Sequence, residues 1–369
     1  MKVANGLDFL NNAQLKKKPN ANEIEISVFG KGFGECIIIG CGDNEYIVVD
    51  SFINPETKNP IAVDYLNAIG VPLSAITTVV LTHWHADHIA GISNLLNLTG
   101  QETKIVLSPI INKEKFHEFI NLGIKGNKNS TSEFEKVYSL IEKRGAKIIK
   151  IANNDTRIFV KNTEPKIEIF SLSPQDEDLI RFINKIIISE DKITSCEYLE
   201  DNLLSIVLLV KFSKDGFLLG SDLENTSTDN QGWNAVVNNY SHTDVKPSVF
   251  KIPHHGSENA HNDSIWEKIL DQSPLSILTV YNKGFKLPKD SDILRIVKLS
   301  KSLFVVGNKS KKDKEMEHKV RKRMPNAKVE IIPQNIGFVR YRKKINDDIP
   351  GTIETFGAVI KYDNENLMA

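Results

Sequence analysis

The chain has 369 residues, of which 40% are hydrophobic and 25% charged, an ordinary composition for a globular protein. Lys+Arg and Asp+Glu both number 47, so a zero net charge argues against coating of nucleic acid by bulk charge. No apolar run is long enough to span a bilayer, and the first twenty residues lack a signal-peptide pattern. We therefore expect a cytoplasmic protein that does not contact a membrane.

Short apolar segments separated by turns fill the first half of the chain. Strands are predicted over 23–30, 36–40, 46–50, 76–82, 104–108, 146–152 and 166–173. Helices are predicted over 60–70, from the end of the 76–82 strand to residue 98, over 113–123 and over 132–145. The last of these is expected to be capped by Ser132 or a neighbour and ended by Gly145.

The second half repeats this arrangement. Strands are predicted over 202–212, 217–222, 248–253, 275–281, 302–306, 328–332 and 337–342, and helices near 263–270, 291–299 and 313–324. Two β-rich halves, each covered by helices, predict an α/β fold: a four-layer αββα sandwich forming a single domain over 23–342.

Three segments fall outside this regular pattern. Residues 1–22 are polar and are expected to be flexible. Residues 174–202 are predicted to hold a helix over 177–188 and to form a lid, an insertion or an interface. The tail over 343–369 is expected to add a hairpin or to dock on a partner, and the sequence does not decide between these.

The stretch THWHADH, residues 82–88, is the main candidate for chemistry. It places three histidines and one aspartate where a buried strand ends and a helix begins, the usual position of functional groups in layered α/β folds. Imidazole nitrogens and carboxylate oxygens suit zinc and related ions. Surface histidine clusters that bind nothing do occur, but four candidate ligands in six residues favour a metal centre at His83, His85, Asp87 and His88.

Three further segments end predicted strands with polar residues. Asp50 ends YIVVD, Asp222 ends FLLGSD, and the strand in KIPHHGS ends in His254 and His255. Taken alone, a strand-terminal acid is commonly a turn residue or a helix cap. Because a sheet fold can bring strand ends to one rim, we expect these residues to join the same metal centre.

These motifs resemble the metallo-β-lactamase superfamily, whose signature is T-H-x-H-x-D-H. The finer resemblance is to the hydrolase domain of ComEC-type DNA-uptake proteins, and it rests on KGFGECIII, NLLSIVLLVKFSKDGFLLGSD, FKIPHHGS and QNIGFVRYR. It spans roughly residues 23–342. The competence proteins are large membrane proteins, so the resemblance does not imply DNA import.

The resemblance implies a ligand set and two zinc ions, with manganese as an alternative. His83 and His85 would bind the first metal, Asp87, His88 and His255 the second, and Asp222 would bridge them. His254 is the alternative to His255. Asp50 would orient the histidine turn by hydrogen bonds.

Two departures from the family pattern affect this expectation. Ser173 stands where a further histidine would complete the first metal site, which predicts weaker binding there. His117, the one histidine between His88 and Asp222, lies in a predicted amphipathic helix and is expected to be structural or exposed. Lys286, in NKGFKLP, replaces another family histidine and would either contact an anionic substrate or be a solvated loop charge.

Three functions remain open on this sequence. The first is a nuclease or other phosphodiesterase that uses a metal-bridging hydroxide, with Asp87, His254 and Lys286 as the catalytic candidates. The second is a hydrolase of lactones, amides or thioesters. The third is a non-catalytic metal-binding module that acts with a protein partner or a second copy.

Basic and aromatic residues bear on the substrate. Lys16–Lys18, Lys309–Lys314 and Lys319–Arg323 are candidates for contacts with a phosphate backbone, although charge runs are usually solvated faces. The aromatics Trp84, Tyr281 and Phe285 are too scattered along the chain to decide whether bases stack on the protein.

Overall fold

Two mixed β-sheets form the centre of the protein, whose computed structural model describes residues 15–109, 128–161, 166–182, 202–283, 286–307, 336–347 and 349–364. The strands are β1 Glu23–Gly30, β2 Glu35–Gly40, β3 Tyr46–Val49, β4 Ile76–Val80, β5 Lys104–Leu107, β6 Ile149–Ile151, β7 Thr156–Lys161, β8 Ile167–Ser171, β9 Leu208–Phe212, β10 Asp215–Leu219, β11 Lys246–Lys251, β12 Leu275–Thr279, β13 Ser302–Val306, β14 Gly337–Lys344, β15 Thr352–Gly357 and β16 Val359–Asp363.

Within the described residues each sheet has eight strands. The first has the order β15-β14-β1-β2-β3-β4-β5-β6, and the second β16-β13-β12-β11-β10-β9-β8-β7. Strands β3 to β6 run parallel to one another, as do β10 to β13. The polar residues that follow β3, β4, β10 and β11 can therefore meet at one rim of the sandwich.

Helices cover the outer faces of both sheets. They are α1 Ile61–Ala68, α2 Ala86–Ile89, α3 Ile92–Leu98, α4 Lys128–Arg144, α5 Gly232–Asn238 and α6 Asp290–Leu299. Shorter turns lie at Leu73–Ala75, Ala146–Ile148, Asn202–Leu204, His254–Gly256, Glu258–Ala260 and Ile265–Ile269, and 176–182 is helical. None of the helices in the described ranges has the length and apolar character needed to cross a membrane.

Three separate apolar cores hold these layers together. Alternation along β1 points Ile24, Ile26 and Val28 towards the second sheet, while Phe29 packs under the helices of the first. The third core joins the outer face of the second sheet to Trp233 of α5 and its neighbours. Helix, sheet, sheet and helix therefore form the predicted four-layer αββα sandwich.

The N-terminal segment differs from its prediction where it is described. Leu15 is fully buried, and Arg340 Nη1 of β14 donates to its carbonyl oxygen at 3.0 Å. Residues 15–22 are thus tied to the first sheet, whereas the sequence predicted flexibility up to residue 22.

Lys16–Lys18 lie beside the β2–β3 turn, where Lys18 contacts Asn44. This turn is at the end of β3 opposite Asp50. These lysines therefore lie away from the metal centre, and their contact with a phosphate backbone stays a prediction.

The C-terminal tail forms two strands, but they are not a hairpin. β15 pairs with β14 at the edge of the first sheet, and β16 pairs with β13 at the edge of the second. The chain crosses between sheets at Gly357, whose φ of 67° is readily adopted by glycine. The tail is an integral part of both sheets because it continues each ladder by one strand.

Several smaller predictions also differ. α4 begins at Lys128, so Ser132 lies inside it and is not its cap, while Gly145 follows it with φ 85° as predicted. β9 is shorter than the predicted strand over 202–212, and β7 and α5 were not predicted. Some predictions fall outside the described residues. They concern His117, Phe285, Lys309–Lys314, Lys319–Arg323, the elements predicted over 113–123, 313–324 and 328–332, and the whole of 183–201.

Candidate metal centre

The turn between β4 and α2 is held in place by Asp50, which directly follows β3. Its carboxylate accepts hydrogen bonds from the Thr82 backbone N–H at 2.9 Å and the Thr82 hydroxyl at 2.7 Å. His88 Nδ1 lies 2.7 Å from the same carboxylate. Burial raises the pKa of Asp50, and the contacts with His88 and Thr82 offset this only in part. Asp50 therefore has the position predicted for it, behind the histidines.

Asp222 is shared by two groups of candidate ligands. One group consists of His83, His85 and Asp222, and the other of Asp87, His88, Asp222 and His255; within each group the candidate ligand atoms lie within 4.8 Å of one another. Asp222 Oδ2 is 3.8 Å from His83 Nε2, 3.4 Å from His88 Nε2 and 3.7 Å from His255 Nε2. All six metal ligands predicted from the sequence thus meet at one rim.

In His83, His88 and His255, Nδ1 makes a hydrogen bond to a neighbouring protein group and Nε2 faces the cluster, where His83 Nε2 lies 3.1 Å from His85 Nδ1. His83 Nδ1 lies 3.0 Å from the Thr82 hydroxyl, which already donates to Asp50 and so accepts from this nitrogen. His88 Nδ1 donates to Asp50, and His255 Nδ1 lies 3.1 Å from the carbonyl oxygen of Thr279. With Nδ1 hydrogen-bonded to the protein in each ring, Nε2 is the nitrogen that would bind a metal.

Buried polar atoms at the centre of the cluster test whether a metal would fit. His88 Nε2, His255 Nε2 and Asp222 Oδ1 are buried and have no hydrogen-bond partner among the described residues. Unsatisfied buried polar atoms are costly and rare, and a bound cation would satisfy all three. A set of imidazoles and carboxylates suits zinc and also accepts manganese. The residues present therefore fit a divalent metal.

Of the two adjacent histidines, His255 belongs to the cluster and His254 does not. His255 has a left-handed φ of 52°, which turns its Nε2 to within 3.4 Å of Asp87 Oδ2. His254 points to Glu224, whose Oε1 lies 3.0 Å from His254 Nδ1. Burial lowers the pKa of His254, but the hydrogen bond to Glu224 and the charge of Asp222 outweigh it and raise the pKa. The sequence alternative of His254 as the ligand is thus disfavoured.

Burial and the charge of His88 govern the ionisation of the two carboxylate ligands. Burial favours the neutral carboxyl, but the charge of His88 outweighs it and holds the pKa of Asp87 and Asp222 below the usual range. For His88 itself, burial lowers the pKa, and the surrounding carboxylates more than reverse this effect. Burial, reinforced by His88, lowers the pKa of His83. Asp87 and Asp222 are therefore ionised, as metal ligation requires.

Ser173 does not replace the missing histidine as a ligand. Its side chain is fully buried; its hydroxyl donates to the Ser205 carbonyl at 2.6 Å and accepts from the Val207 N–H at 2.9 Å. The adjoining Ile206 N–H donates to the Thr82 carbonyl, so this serine braces the segment beside the histidine turn. The His83 side of the cluster consequently has one protein ligand fewer than the His88 side.

Two other predicted residues lie at the edge of the site. Lys286 is exposed on the loop between Tyr281 and Leu287, and the Tyr281 ring lies 5.2 Å from that of His255. Trp84 is buried and packs 5.6 Å from Phe182, so it supports the histidine turn from below.

A buried ion pair behind His255 was not predicted from the sequence. Lys251 Nζ lies 2.5 Å from Glu35 Oε2, and both side chains are almost inaccessible to solvent. The Thr279 hydroxyl donates to the same carboxylate and lies 3.2 Å from His255 Nδ1. The sequence did carry a signal for this pair. Glu35 and Lys251 each stand in an otherwise apolar strand, and a buried charge is normally paired with an opposite one.

Glu224 and Asn202 were also missed. The Asn202 side chain donates to Glu224 Oε1 at 2.7 Å, and together they hold His254 at the mouth of the cluster. Their separation along the chain left no sequence signal that they would meet.

Comparison with known proteins agrees with this fold. Residues 29–145 match the family model described as Metallo-beta-lactamase superfamily. This stretch of the chain is thus similar to the metallo-β-lactamase superfamily, and the two-sheet sandwich is the metallo-β-lactamase fold. No curated protein sequence matches the chain. The finer resemblance to ComEC-type hydrolase domains is not shown by these comparisons and stays a prediction.

Solved structures with similarity to this chain include the following three. The metallo-beta-lactamase fold protein YhfI from Bacillus subtilis is 11% identical, with 77% of this chain and 95% of that chain covered and a TM-score of 0.39. The subclass B3 metallo-beta-lactamase MEM-A1, from a soil metagenome library, is 10% identical, with 66% and 83% covered and a TM-score of 0.34. The hydrolase AbOPH is 14% identical, with 53% and 58% covered and a TM-score of 0.32.

Proposed function

We propose that this protein is a metal-dependent hydrolase that cleaves phosphodiester bonds and holds two divalent ions, zinc or manganese, around Asp222. The observation that carries the proposal is the carboxylate of Asp222, which is shared by two groups of candidate ligands. When bound, two such ions would supply Lewis acidity, a water of lowered pKa and a clamp on the attacking and leaving oxygens. Phosphodiester cleavage suits this arrangement because both oxygens must be held in line.

The chain's own residues have distinct roles in this proposal. Asp87 and Asp222, both ionised, hold the centre together with the histidines, and Asp50 fixes the ring of His88. His254, part-exposed at the mouth and paired with Glu224, protonates the leaving oxygen. Lys286 offers a positive charge to the anionic substrate from the neighbouring loop.

The other two functions are kept as outcomes of the test. The same centre could attack a lactone, amide or thioester, since these also need a nucleophile and a stabilised oxyanion. The missing ligand at Ser173 is the observation that favours a metal-binding module without catalysis, because it weakens one side of the pair.

A cleavage assay with defined metals tests the proposal. Metal-free protein is reloaded with zinc or manganese and incubated with labelled single- and double-stranded DNA and RNA and with a small chromogenic phosphodiester. Asp87→Ala protein from the same preparation is the control, and lactone, thioester and β-lactam substrates are run in parallel.

We expect metal-dependent cleavage of at least one phosphodiester by the wild type and not by Asp87→Ala. Turnover of only the carboxylic substrates would select the second function. If neither the zinc-loaded nor the manganese-loaded protein turns over any substrate, the non-catalytic binding module is selected.

A further inference from the structure

Two loops that are far apart in the sequence meet beside His255. Residues 31–34 follow β1, and residues 281–283 follow β12, where Tyr281 and Leu287 exchange reciprocal backbone hydrogen bonds of 2.9 Å. The Asn282 N–H donates to the Gly32 carbonyl and joins the loops. Gly32 has φ 88°, and a Cβ there would lie 2.6 Å from the Asn282 side chain, so glycine permits this approach.

Aromatic rings extend from the metal centre along these loops. The Tyr281 ring lies 5.2 Å from that of His255, and the Phe33 ring lies 5.5 Å from Tyr281 in an edge-to-face arrangement. Both rings are partly exposed. Partly exposed aromatic rings beside a reaction centre offer faces on which a planar group can stack.

Two lysines border these rings. Lys283 Nζ lies over one face of the Phe33 ring, 4.6 Å from its centre, and Lys286 is exposed next to Leu287. Within the described part of the chain, neither ammonium group lies within ion-pair distance of a carboxylate. Their charge is therefore available to an anion, and it lies on the side of the cluster occupied by His255.

We propose that this aromatic–lysine wall, defined as Phe33, Tyr281, Lys283 and Lys286, binds an unpaired nucleobase and its adjoining phosphates. The inference rests on the proposed function and names its substrate as single-stranded nucleic acid. Stacking needs a base whose face is free, and a duplex buries those faces between neighbouring pairs. A simple lactone or thioester would use neither the rings nor two uncompensated positive charges.

Binding, measured without turnover, tests the wall. Fluorescence anisotropy of a fluorescein-labelled oligodeoxythymidylate is followed with metal-free full-length protein, so that no cleavage intervenes. We expect Phe33→Leu to weaken binding about tenfold, because one stacked base is lost. Lys283→Glu should weaken it by about tenfold or more and reduce the dependence on salt concentration, because a phosphate contact becomes repulsive.

A variant with the same charge change at a distant position serves as the control. Lys214→Glu makes this change at an exposed lysine in the β9–β10 turn, at the opposite end of β10 from Asp222, and should leave binding unchanged. Lys283 is exposed, so its variant is expected to fold even where Phe33→Leu does not.

Equal affinities for wild type and Lys283→Glu, an equal loss in Lys214→Glu, or tighter binding of duplex than of single strand would overturn the inference. The small chromogenic phosphodiester separates this failure from that of the proposed function. If metal-loaded wild type hydrolyses it but metal-free protein does not bind the oligonucleotide, only the inference fails. If neither zinc nor manganese supports hydrolysis of any phosphodiester, the proposed function itself fails.

Discussion

Replacing Asp50 with asparagine should weaken metal binding on the His88 side of the centre. The carboxylate accepts from the Thr82 N–H through Oδ1 and from His88 Nδ1 and the Thr82 hydroxyl through Oδ2. Asparagine has one acceptor and one donor, so its NH2 group must face either the Thr82 N–H or the His88 Nδ1–H. In the second case the imidazole moves its proton to Nε2, the atom that would ligate the metal.

The size of the effect follows from the contact that is lost. A hydrogen bond to a charged group contributes about 1.5–3 kcal/mol. This agrees with the 10- to 100-fold loss of affinity or activity that is typical when a partner of a ligating histidine is removed. We therefore expect zinc affinity on the His88 side to fall by about 10- to 100-fold.

Competition with a chromophoric chelator measures this change. Metal-free wild type and Asp50→Asn are titrated with zinc, and thermal unfolding in excess chelator reports any loss of stability that is independent of metal. Asp64→Asn is the matched control, because Asp64 is a buried carboxylate that accepts hydrogen bonds from Asn54, Thr57 and Asn59 and contacts no candidate ligand. It should lose stability and keep its zinc affinity.

An unchanged zinc affinity in Asp50→Asn would refute this reasoning. So would an equal loss in Asp64→Asn, which would show that zinc affinity follows general stability and not the orientation of His88.

Other substitutions probe the remaining parts of the centre. Asp222→Asn removes the shared ligand, so the zinc content measured by mass spectrometry should fall from two ions per chain to at most one. Retention of two zinc ions would contradict the role of Asp222 as a ligand shared by both groups. Glu35→Ala leaves Lys251 buried without a counter-charge and should cost about 3–5 kcal/mol in chemical denaturation. The double variant Glu35→Leu, Lys251→Met should be more stable than Glu35→Ala, because no buried charge is left unpaired. A double variant less stable than Glu35→Ala would contradict the pairing of Glu35 with Lys251. His254→Gln should lower phosphodiester turnover by about 10²- to 10⁴-fold without loss of zinc, so zinc loss would show that it is a ligand.

The sequence predicted the candidate ligands because they are concentrated at strand ends. His83, His85, Asp87 and His88 fall within six residues, and the apolar strand before them fixes their place at the rim. Parallel strands then bring Asp222 and the other strand-terminal residues to the same edge. Local spacing and the direction of the strands are sufficient for this part.

Contacts between distant segments could not be predicted in the same way. Glu224 meets His254 and Asn202 only because the second sheet is assembled, and Phe33 meets Tyr281 only because Asn282 joins two loops. The tail shows the same limit: its alternating pattern predicts strands, but their pairing depends on which sheet edges are unoccupied. Hence the sequence could not show that β15 and β16 extend different sheets.

The stoichiometry of metal binding tests the central claim most directly. Metal-free protein is titrated with zinc, and the bound metal is measured by mass spectrometry after removal of the excess. Two ions per chain in the wild type and one in His83→Ala are the predicted results, since that variant disrupts only one of the groups that share Asp222. No more than one ion in the wild type, or two retained in His83→Ala, would contradict the account.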